Sequence, residues 1–494
     1  MKINTLDFDA QTLQGKILNL AIRGKLVPQD PNDEPANVLL DKIHSEKEKL
    51  IKEKKIKKIK SLPEIFDIEK PFDIPKNWKW VRLGDISNFV GTGMVVPTSQ
   101  QFDTPTNQML AYFKMNNIGS WTGKFGVGKW TYVLKNEKSK NYILKPGQLL
   151  FNTRNSRELV GKTTIVPKGI NKGIIANNNI LRIESFGNMK LDYINYYLIS
   201  PFSRNTFLKL TAATTNVAAI YQKQLSQILI PLPPLEEQKR IANKVSQLFD
   251  QIDKIESASQ QYIELQSSLR SKVLDVAMHG KLVKQEPTDE PASILFDKIK
   301  AEKAKLVKEK KIRKSKPLPE ITDNEKPFGI PDGWEWVRIG DIVVLKNGKT
   351  PPKKDIHNSG QYPYFKVKDM NNNELYMQKV ENYVDEQYKS KIMPKNTIIF
   401  PKNGGAVLTA KKRILIQDSL VDLNTSGIIS STDCDPMYIF YLFSSLDIRK
   451  YVKGSAVPTI DSKKLMETPV PLPPFNEQKR IVSRIEKIFV NASL

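Results

Sequence analysis

The chain contains 494 residues, of which 39% are hydrophobic, a length that predicts roughly two to four packing units instead of one core. Its formal net charge of +24 favours a polyanion such as nucleic acid as partner, although a biased genome composition would also enrich lysine, asparagine and isoleucine. No run of about 18 apolar residues and no secretory signal is visible, which predicts a cytoplasmic protein without a membrane anchor. The single cysteine, Cys434, cannot form an internal disulfide, and the histidines are too scattered for a recognisable metal site.

The chain carries one pattern of motifs twice. Most matching segments are 256 residues apart, whereas a double-proline motif recurs after 240 residues. The matching segments are Gly24–Val27 with Gly280–Val283, Trp78–Asp85 with Trp334–Asp341, and Pro231–Arg240 with Pro471–Arg480. A repeat of this length predicts two homologous domains, not a solenoid of short units.

In chain order the pattern predicts seven segments. They are residues 1–30, part of a distal helix region; 31–75, a lysine-rich helical connector; 76–230, a first α+β domain; 231–283, a central helix; 284–331, a second lysine-rich connector; 332–470, a second α+β domain; and 471–494, the rest of the distal helix region. Apolar runs at 149–151 and 398–400 predict buried strands, each followed by a polar, basic loop. One helix is predicted to close each domain, near 191–208 and near 436–451.

A long helix is predicted to begin at each double-proline motif, because prolines can stand at a helix entrance but not in its interior. Apolar residues then follow with heptad spacing, at Ile241, Val245, Leu248 and Ile252 in the first copy and at Ile481 and Ile485 in the second. The first helix should extend over 236–276, or roughly 60 Å. The second stops with the chain, and residues 6–20 carry the missing part of its pattern, which predicts a circularly permuted repeat.

Two lysine-dense helices are predicted at 46–60 and 302–316. Their interleaved acids allow a solvated face with internal ion pairs, and contact with phosphate or a partner is the alternative.

No catalytic motif stands out. The segment 123–129 has the spacing of a phosphate-binding loop, but Trp130 occupies the position of the Ser or Thr that would meet Mg²⁺. The chain is therefore predicted to be non-catalytic.

If the partner is DNA, base edges are read by Arg, Lys, Asn, Gln and Thr side chains on short loops held by rigid strands. The candidates are Lys114, Asn116, Asn117, Thr153, Arg154, Asn155, Arg157, Thr214 and Thr215 in the first domain, and Lys366, Lys368, Lys402, Asn403 and Ser455 in the second. Turn formation is the alternative role for the loop asparagines. The paired tryptophans, Trp78 and Trp80 with Trp334 and Trp336, are predicted to anchor a core instead of stacking on bases.

The double-proline helix entrances, the Gly-Lys-Leu-Val segments and the Trp-x-Trp-Val-Arg domain starts resemble those of type I restriction-modification specificity subunits, over essentially the whole chain. The resemblance implies an α+β fold, with two homologous target recognition domains joined by a long antiparallel coiled coil in a circularly permuted pseudo-two-fold repeat. Each domain would read one half of a split, asymmetric DNA target, and the helices would set the spacer between the halves. The subunit itself would catalyse nothing.

The resemblance also implies partners. Two methyltransferase subunits, which bind S-adenosylmethionine, would dock on the helical scaffold that includes the six heptad residues named above. Two restriction subunits would supply the ATP- and Mg²⁺-dependent steps, so that no cofactor binds this chain. Two other hypotheses stay open: a diverged fused methyltransferase-nuclease, and a coiled-coil scaffold that binds nucleic acid without sequence selection.

Overall fold

The computed structural model describes residues 8–56, 61–170, 173–187, 189–211, 217–454 and 457–492. The chain divides into two compact units, an N-terminal unit that ends at Ser259 and a C-terminal unit that begins at Gln260. Separate hydrophobic cores lie in the two units. Among the described helices, none combines the length and the apolar composition needed to cross a bilayer.

The N-terminal unit is an α+β domain. Its elements are α1 (Ala10–Ile22), α2 (Ala36–Lys52), β1 (Lys79–Arg82), α3 (Leu83–Ile86), β2 (Ser87–Thr92), β3 (Met109–Phe113), β4 (Thr131–Leu134), β5 (Leu149–Asn152), β6 (Arg154–Asn155), β7 (Thr163–Ile165), β8 (Ile174–Ala176), β9 (Ile180–Ser185), α4 (Asp192–Leu198), α5 (Pro201–Leu210), β10 (Ala218–Ala219), α6 (Gln222–Ser226), β11 (Leu229–Leu232) and the first part of α7 (Leu235–Met278). An antiparallel sheet has the order β2-β9-β5-β7, and a second sheet, β4-β3-β8, pairs β3 with β8 in parallel. Strand β1 pairs with β11, and β6 pairs with β10.

The C-terminal unit repeats this arrangement. Its elements after α7 are α8 (Ala292–Lys308), β12 (Glu335–Arg338), α9 (Ile339–Ile342), β13 (Val343–Asn347), β14 (Tyr362–Phe365), β15 (Tyr376–Met377), β16 (Tyr383–Val384), β17 (Ile398–Pro401), β18 (Arg413–Leu415), β19 (Leu420–Val421), β20 (Thr425–Ser430), α10 (Pro436–Ser445), β21 (Val452–Lys453), β22 (Thr459–Ile460), α11 (Ser462–Met466), β23 (Pro469–Leu472) and α12 (Phe475–Asn491). The main sheet, β13-β20-β17-β18-β15, gains one strand relative to the first unit. The sheet β16-β14-β19 again contains one parallel pair, β14 with β19.

The predicted long helix is confirmed as α7, whose 44 residues give a rise of roughly 66 Å. Its apolar residues do not form one continuous exposed seam. Ile241, Val245 and Ile252 are buried in the core of the N-terminal unit, while Tyr262 and Leu265 are exposed. The pairing of this helix with another as a coiled coil stays a prediction.

The permuted repeat is confirmed by burial. On α1 the side chains of Ile17, Leu18, Ala21 and Ile22 are buried in the core of the N-terminal unit. At an offset of 256 residues, the equivalent positions at the end of α7 are buried in the core of the C-terminal unit: Val273, Leu274, Ala277 and Met278. Helix α1 therefore plays in the first unit the part that the end of α7 plays in the second.

The repeated motifs form a joint between helix and domain in each unit. In the first, the indole Nε1 of Trp78 donates to Glu237 Oε2 over 2.9 Å, and Arg240 forms a two-bonded ion pair with Asp33. Burial raises the pKa of Glu237. Gly24 has a φ of +67°, and a Cβ there would lie 2.4 Å from Pro75, so only glycine fits this approach.

The second joint has the same contacts. Trp334 Nε1 donates to Glu477 Oε2 over 2.9 Å, and Arg480 pairs with Asp289 through two bonds. Burial raises the pKa of Glu477 as well. The prediction that the paired tryptophans anchor a core is confirmed for Trp78 and Trp334, which are buried, whereas Trp80 and Trp336 are only half-buried.

The lysine-rich helices begin ten residues earlier than predicted. Both α2 and α8 start directly after a proline and bury an apolar stripe, Leu39 and Ile43 in α2 and Leu295 and Ile299 in α8. They end at Lys52 and Lys308, and residues 57–60 of the first prediction lie outside the described part of the chain. Each helix therefore packs on its own domain through its first turns.

Candidate nucleic-acid interface

In the N-terminal unit, a turn between β8 and β9 brings two predicted loops together. We call residues 177–179 the first central turn. The backbone N–H of Asn177 donates to the carbonyl of Phe113, where β3 ends, over 2.9 Å. The carbonyl of Asn179 accepts from the backbone N–H (2.8 Å) and from Oγ1 (3.0 Å) of Thr153, where β5 ends. The loops that carry Lys114 and Arg154 therefore start from the same anchor.

The C-terminal unit has an equivalent turn between β19 and β20, residues 422–424, which we call the second central turn. The backbone N–H of Asp422 donates to the carbonyl of Phe365 over 2.9 Å, and its carboxylate accepts from Val367 N over 3.1 Å. The carbonyl of Asn424 accepts from Lys402 N over 2.7 Å. The loops after β14 and β17 are thus joined in the same way as those after β3 and β5.

A third loop meets each central turn, and the sequence analysis missed it. Gly93 approaches the first turn so closely that a Cβ would lie 2.0 Å from the carbonyl oxygen of Ala176. Gly348 does the same at the second turn, where a Cβ would lie 2.1 Å from the carbonyl oxygen of Asp422. The signal for it was present, because both glycines follow the repeated Gly-Asp pair by eight or nine residues. In the second unit this loop continues into exposed lysines, Lys349, Lys353 and Lys354.

Arg154 and Arg157 are the predicted DNA contacts most available to a ligand in the first unit. Both are exposed, and neither makes an ion pair within the described residues. Arg154 lies on β6, where it is paired with Ala219 of β10, so its backbone is held by a short antiparallel ladder. Asn116 is also exposed, whereas Lys114 is half-buried and donates from Nζ to Gln101 Oε1 over 3.0 Å.

Three residues predicted to contact DNA in the first unit have their side chains engaged in hydrogen bonds within the fold, and their contact with DNA stays a prediction. Asn117 is fully buried, with its amide donating to the carbonyl of Val127 over 2.9 Å and its Oδ1 accepting from Lys114 N. Thr153 is buried against the first central turn. The amide of Asn155 donates to Asn152 Oδ1 over 2.8 Å. Their polar atoms are occupied within the loop, which is the alternative that the sequence left open.

In the second unit, Lys368 is exposed, while Lys366 and Lys402 are half-buried and Lys366 lies over the ring of Tyr364. Asn403 is half-buried and forms a backbone bridge with Thr459. Thr214, Thr215 and Ser455 lie outside the described residues.

A buried lysine supports the first loop, and no sequence signal pointed to it. Lys162 is 4% exposed, and its Nζ donates to the carbonyls of Met115 (2.8 Å) and Ile118 (2.9 Å). Burial lowers the pKa of this amine. Lys124 holds the same loop to α7 through an ion pair of 2.8 Å with Asp253. The loop after β3 is therefore fixed at both ends.

The helical residues predicted to bind partners require a correction. Ile241, Val245 and Ile252, with Ile481 and Ile485, are buried inside the cores of their own units, and Leu248 packs against the first core. A buried side chain cannot form a docking surface, so these residues attach the helices to the domains.

The segment 123–129 leads into β4 and not into a helix, so it lacks the helix N-terminus of a phosphate-binding loop.

Comparisons with known proteins agree with this architecture. A family model described as a type I restriction modification DNA specificity domain matches residues 75–265 and 331–492. The specificity subunit of the type I restriction enzyme EcoAI from Escherichia coli is 30% identical, covering 97% of this chain and 89% of that protein. The EcoEI specificity subunit from Escherichia coli is 28% identical over 98% of this chain and 89% of its own length.

A solved structure shares the fold. It is described as "Structural basis underlying complex assembly and conformational transition of the type I R-M system". The two chains superpose with a TM-score of 0.52 at 19% identity, over 86% of this chain and 93% of the other. At this identity the likeness concerns the fold alone.

Proposed function

From the premise that this chain belongs to the family of type I restriction-modification DNA specificity subunits, we propose how its two units recognise DNA. The chain is a non-catalytic DNA-recognition subunit, and its two specificity domains fit a bipartite target, one half per unit. Its family implies DNA, methyltransferase subunits and restriction subunits as partners.

The observation that carries the proposal is the pair of central turns. In each unit three loops that differ in sequence are fixed to a turn of the same construction by backbone hydrogen bonds. A rigid anchor with variable loops permits two different base sequences to be read by one scaffold, because side chains specify bases while the strands fix their position. Arg154 and Arg157 in the first unit and Lys368 in the second are the exposed cations that we assign to this contact.

We assign the spacer between the two half-sites to α7. A helix rises about 1.5 Å per residue and resists bending, so its length fixes a distance more strictly than a loop could. Exposed apolar side chains in its middle, Tyr262, Leu265 and Leu269, support docking of partner helices there, in place of the buried residues corrected above.

The composition of the assembly is part of the proposal. We expect two methyltransferase subunits and two restriction subunits in the cytoplasm, with S-adenosylmethionine, ATP and Mg²⁺ bound by those partners and not by this chain. Base flipping for adenine methylation would then take place in the partner's pocket, while this chain selects the site. Titration of the isolated chain with S-adenosylmethionine tests this division, and saturable binding would favour a fused methyltransferase instead.

The decisive experiment is methylated-base sequencing of a host that expresses this chain with its methyltransferase subunit. Residues 87–227 are exchanged for the corresponding segment of a specificity subunit that recognises a different target. We expect one half of the methylated motif to change while the other half and the spacer stay the same. An unchanged motif, or methylation without any motif, would contradict the proposal, and the second result would favour a scaffold without sequence selection.

A further inference from the structure

A basic groove lies in the C-terminal unit, away from the second central turn. The last turns of α7 form one wall, and the segment that leads into β18 forms the other. The groove has a volume of about 740 Å³, which is within the range of sites for small ligands. Apolar residues of α10, including Phe440 and Leu442, also line it.

Most of the charged residues in the lining are cations. They are Arg270 on α7, Lys411 and Lys412 before β18, Arg413 at its start, and Lys450. Among the described residues, Arg270, Lys411, Lys412 and Lys450 make no ion pair with a carboxylate. The one acidic residue in the lining, Asp275, is paired with Lys272 over 3.0 Å. Carboxylates outside the lining, Asp447 near Lys412 and Glu374 near Arg413, compensate part of the positive charge of the groove.

Neutral groups hold these cations in place. Lys412 Nζ donates to the carbonyl of Leu446 over 3.2 Å, and Arg413 Nε donates to the carbonyl of Asn373 over 2.7 Å. Arg270 lies 4.9 Å from the ring centre of Phe489. The pKa of Lys412 is lowered to about 8, chiefly by burial; the charge of Asp447 opposes this shift, and repulsion by Arg270 and Arg449 adds to it. An anion in the groove would relieve this repulsion.

At the equivalent place the first unit has a smaller cavity, of about 360 Å³, between α1 and α5, and Arg204 of α5 lines it. At the offset of 256 residues, Gln14 of α1 stands where Arg270 stands on α7, and Gly15 stands where Ser271 stands. Gly15 packs so closely on α5 that a Cβ would lie 3.1 Å from Pro201. The C-terminal unit has no helix equivalent to α5 in its described residues, and only a short 3-10 turn follows α10. The groove of the second unit is therefore larger than the cavity of the first, and it carries Arg270 where the first copy has Gln14.

We propose that this groove binds phosphate groups, carried either by a free nucleotide or by the DNA backbone. Arginine and lysine side chains that line one groove offer several charge-assisted hydrogen bonds, and phosphate oxygens accept more of these than a carboxylate does. If the phosphate belongs to the DNA backbone, the inference rests on the proposed function, because the groove then adds a sequence-independent contact to those of the recognition loops. If the phosphate belongs to a free nucleotide, the inference does not depend on the proposed function.

The test uses the full chain and three variants. Arg270→Gln introduces the residue of the first copy, and Lys411→Gln removes a second lining charge without touching Phe489. Lys284→Gln is the control, because Lys284 is an exposed lysine of the same unit that does not line the groove. Thermal unfolding confirms that each variant is folded. Calorimetric titration with ATP and with inorganic pyrophosphate reports the nucleotide source, and anisotropy with a duplex that lacks the target, at several salt concentrations, reports the backbone source.

Two results support the groove and one overturns it. Tenfold weaker ATP or pyrophosphate binding in both groove variants, with the control unchanged, identifies a nucleotide as the source of phosphate. Weaker duplex binding in both variants, with the salt dependence reduced by about one unit of slope per charge, identifies the DNA backbone. If neither measurement separates the groove variants from the control, the groove does not bind phosphate. Preference of the unaltered chain for target over scrambled duplex is measured alongside, and its loss would contradict the proposed function without bearing on the groove.

Discussion

Replacing Lys162 by methionine tests whether the hydrogen bonds from its buried amine stabilise the loop after β3. Methionine keeps most of the volume of the side chain but removes the donors to the carbonyls of Met115 and Ile118. Hydrogen bonds from charged donors contribute about 1.5–3 kcal/mol each, and relief of the buried charge offsets part of that loss. We therefore expect the loop to be destabilised by about 1–3 kcal/mol.

This value converts into a measurable rate. Local opening by about 1–3 kcal/mol corresponds to roughly 5- to 150-fold faster hydrogen exchange of the protected amides in the loop. Gly126 is one such amide, since its N–H donates to the carbonyl of Asn117 over 2.8 Å. Exchange is read by mass spectrometry on peptides that cover residues 114–130, which avoids treating a chain of two units as two-state.

Lys346→Met is the matched control. Lys346 is a half-buried lysine of the second unit whose Nζ donates to the carbonyl of Ile392 over 2.7 Å, and burial lowers its pKa too. The Lys346→Met variant should accelerate hydrogen exchange in the second unit and leave the exchange of residues 114–130 unchanged. Lys162→Met should also weaken recognition of the first half-site more than the second. Exchange within twofold of the unaltered chain, together with unchanged recognition of both half-sites, would refute the reasoning.

Three further predictions address the recognition loops, the joint and the titration of the groove. Arg154→Ala should cost about 1–3 kcal/mol at the first half-site and nothing at the second, measured as binding to duplexes with one altered half; equal losses at both halves would contradict the assignment. Trp78→Phe should lower the free energy of unfolding of the N-terminal unit by about 1–3 kcal/mol, because it leaves the buried carboxylate of Glu237 without its indole donor; an unchanged denaturation midpoint would argue against the joint. Because the pKa of Lys412 is about 8 when folded and 10.5 ordinarily, the unfolded chain binds more protons between these values, so stability should rise with pH across this window relative to Lys412→Met. Parallel pH profiles of the two proteins would exclude this titration.

Much of the candidate interface could be located from sequence, but not its exposed side chains. Most of the polar residues predicted to follow buried strands do lie in loops, although Arg154 and Asn155 form the short strand β6. The sequence locates them because a strand end and the residues after it are neighbours in the chain. Asn117 and Asn155 nevertheless form hydrogen bonds within their own loops and Thr153 bonds to the first central turn, while Arg154 and Arg157 remain exposed. Which polar residue faces solvent depends on partners such as Asn179 that are distant in sequence, and composition does not encode that choice.

The predicted closing helix shows the same limit. The sequence predicts one helix near 191–208, whereas the structure has α4 and α5 with Pro201 at the start of the second. Proline ends a helix more readily than it interrupts one, because it lacks the N–H that the preceding turn requires. That break allows α5 to pack on α1, and because the described part of the second unit has no counterpart of α5, the groove there is larger than the cavity of the first unit.

The sequence by itself determined the duplication, the permuted order of the helices, the long helix α7 and the family, because each is written as a spacing along one chain. Only the tertiary structure decided that Ile241 and Ile481 belong to the domain cores, and that the repeated tryptophans and glutamates form joints. It alone also placed Lys162 beneath a recognition loop and Gly93 against a central turn. Spacing along the chain is local information, whereas burial and hydrogen bonding depend on which distant segments meet, and for that reason only the folded chain specifies them.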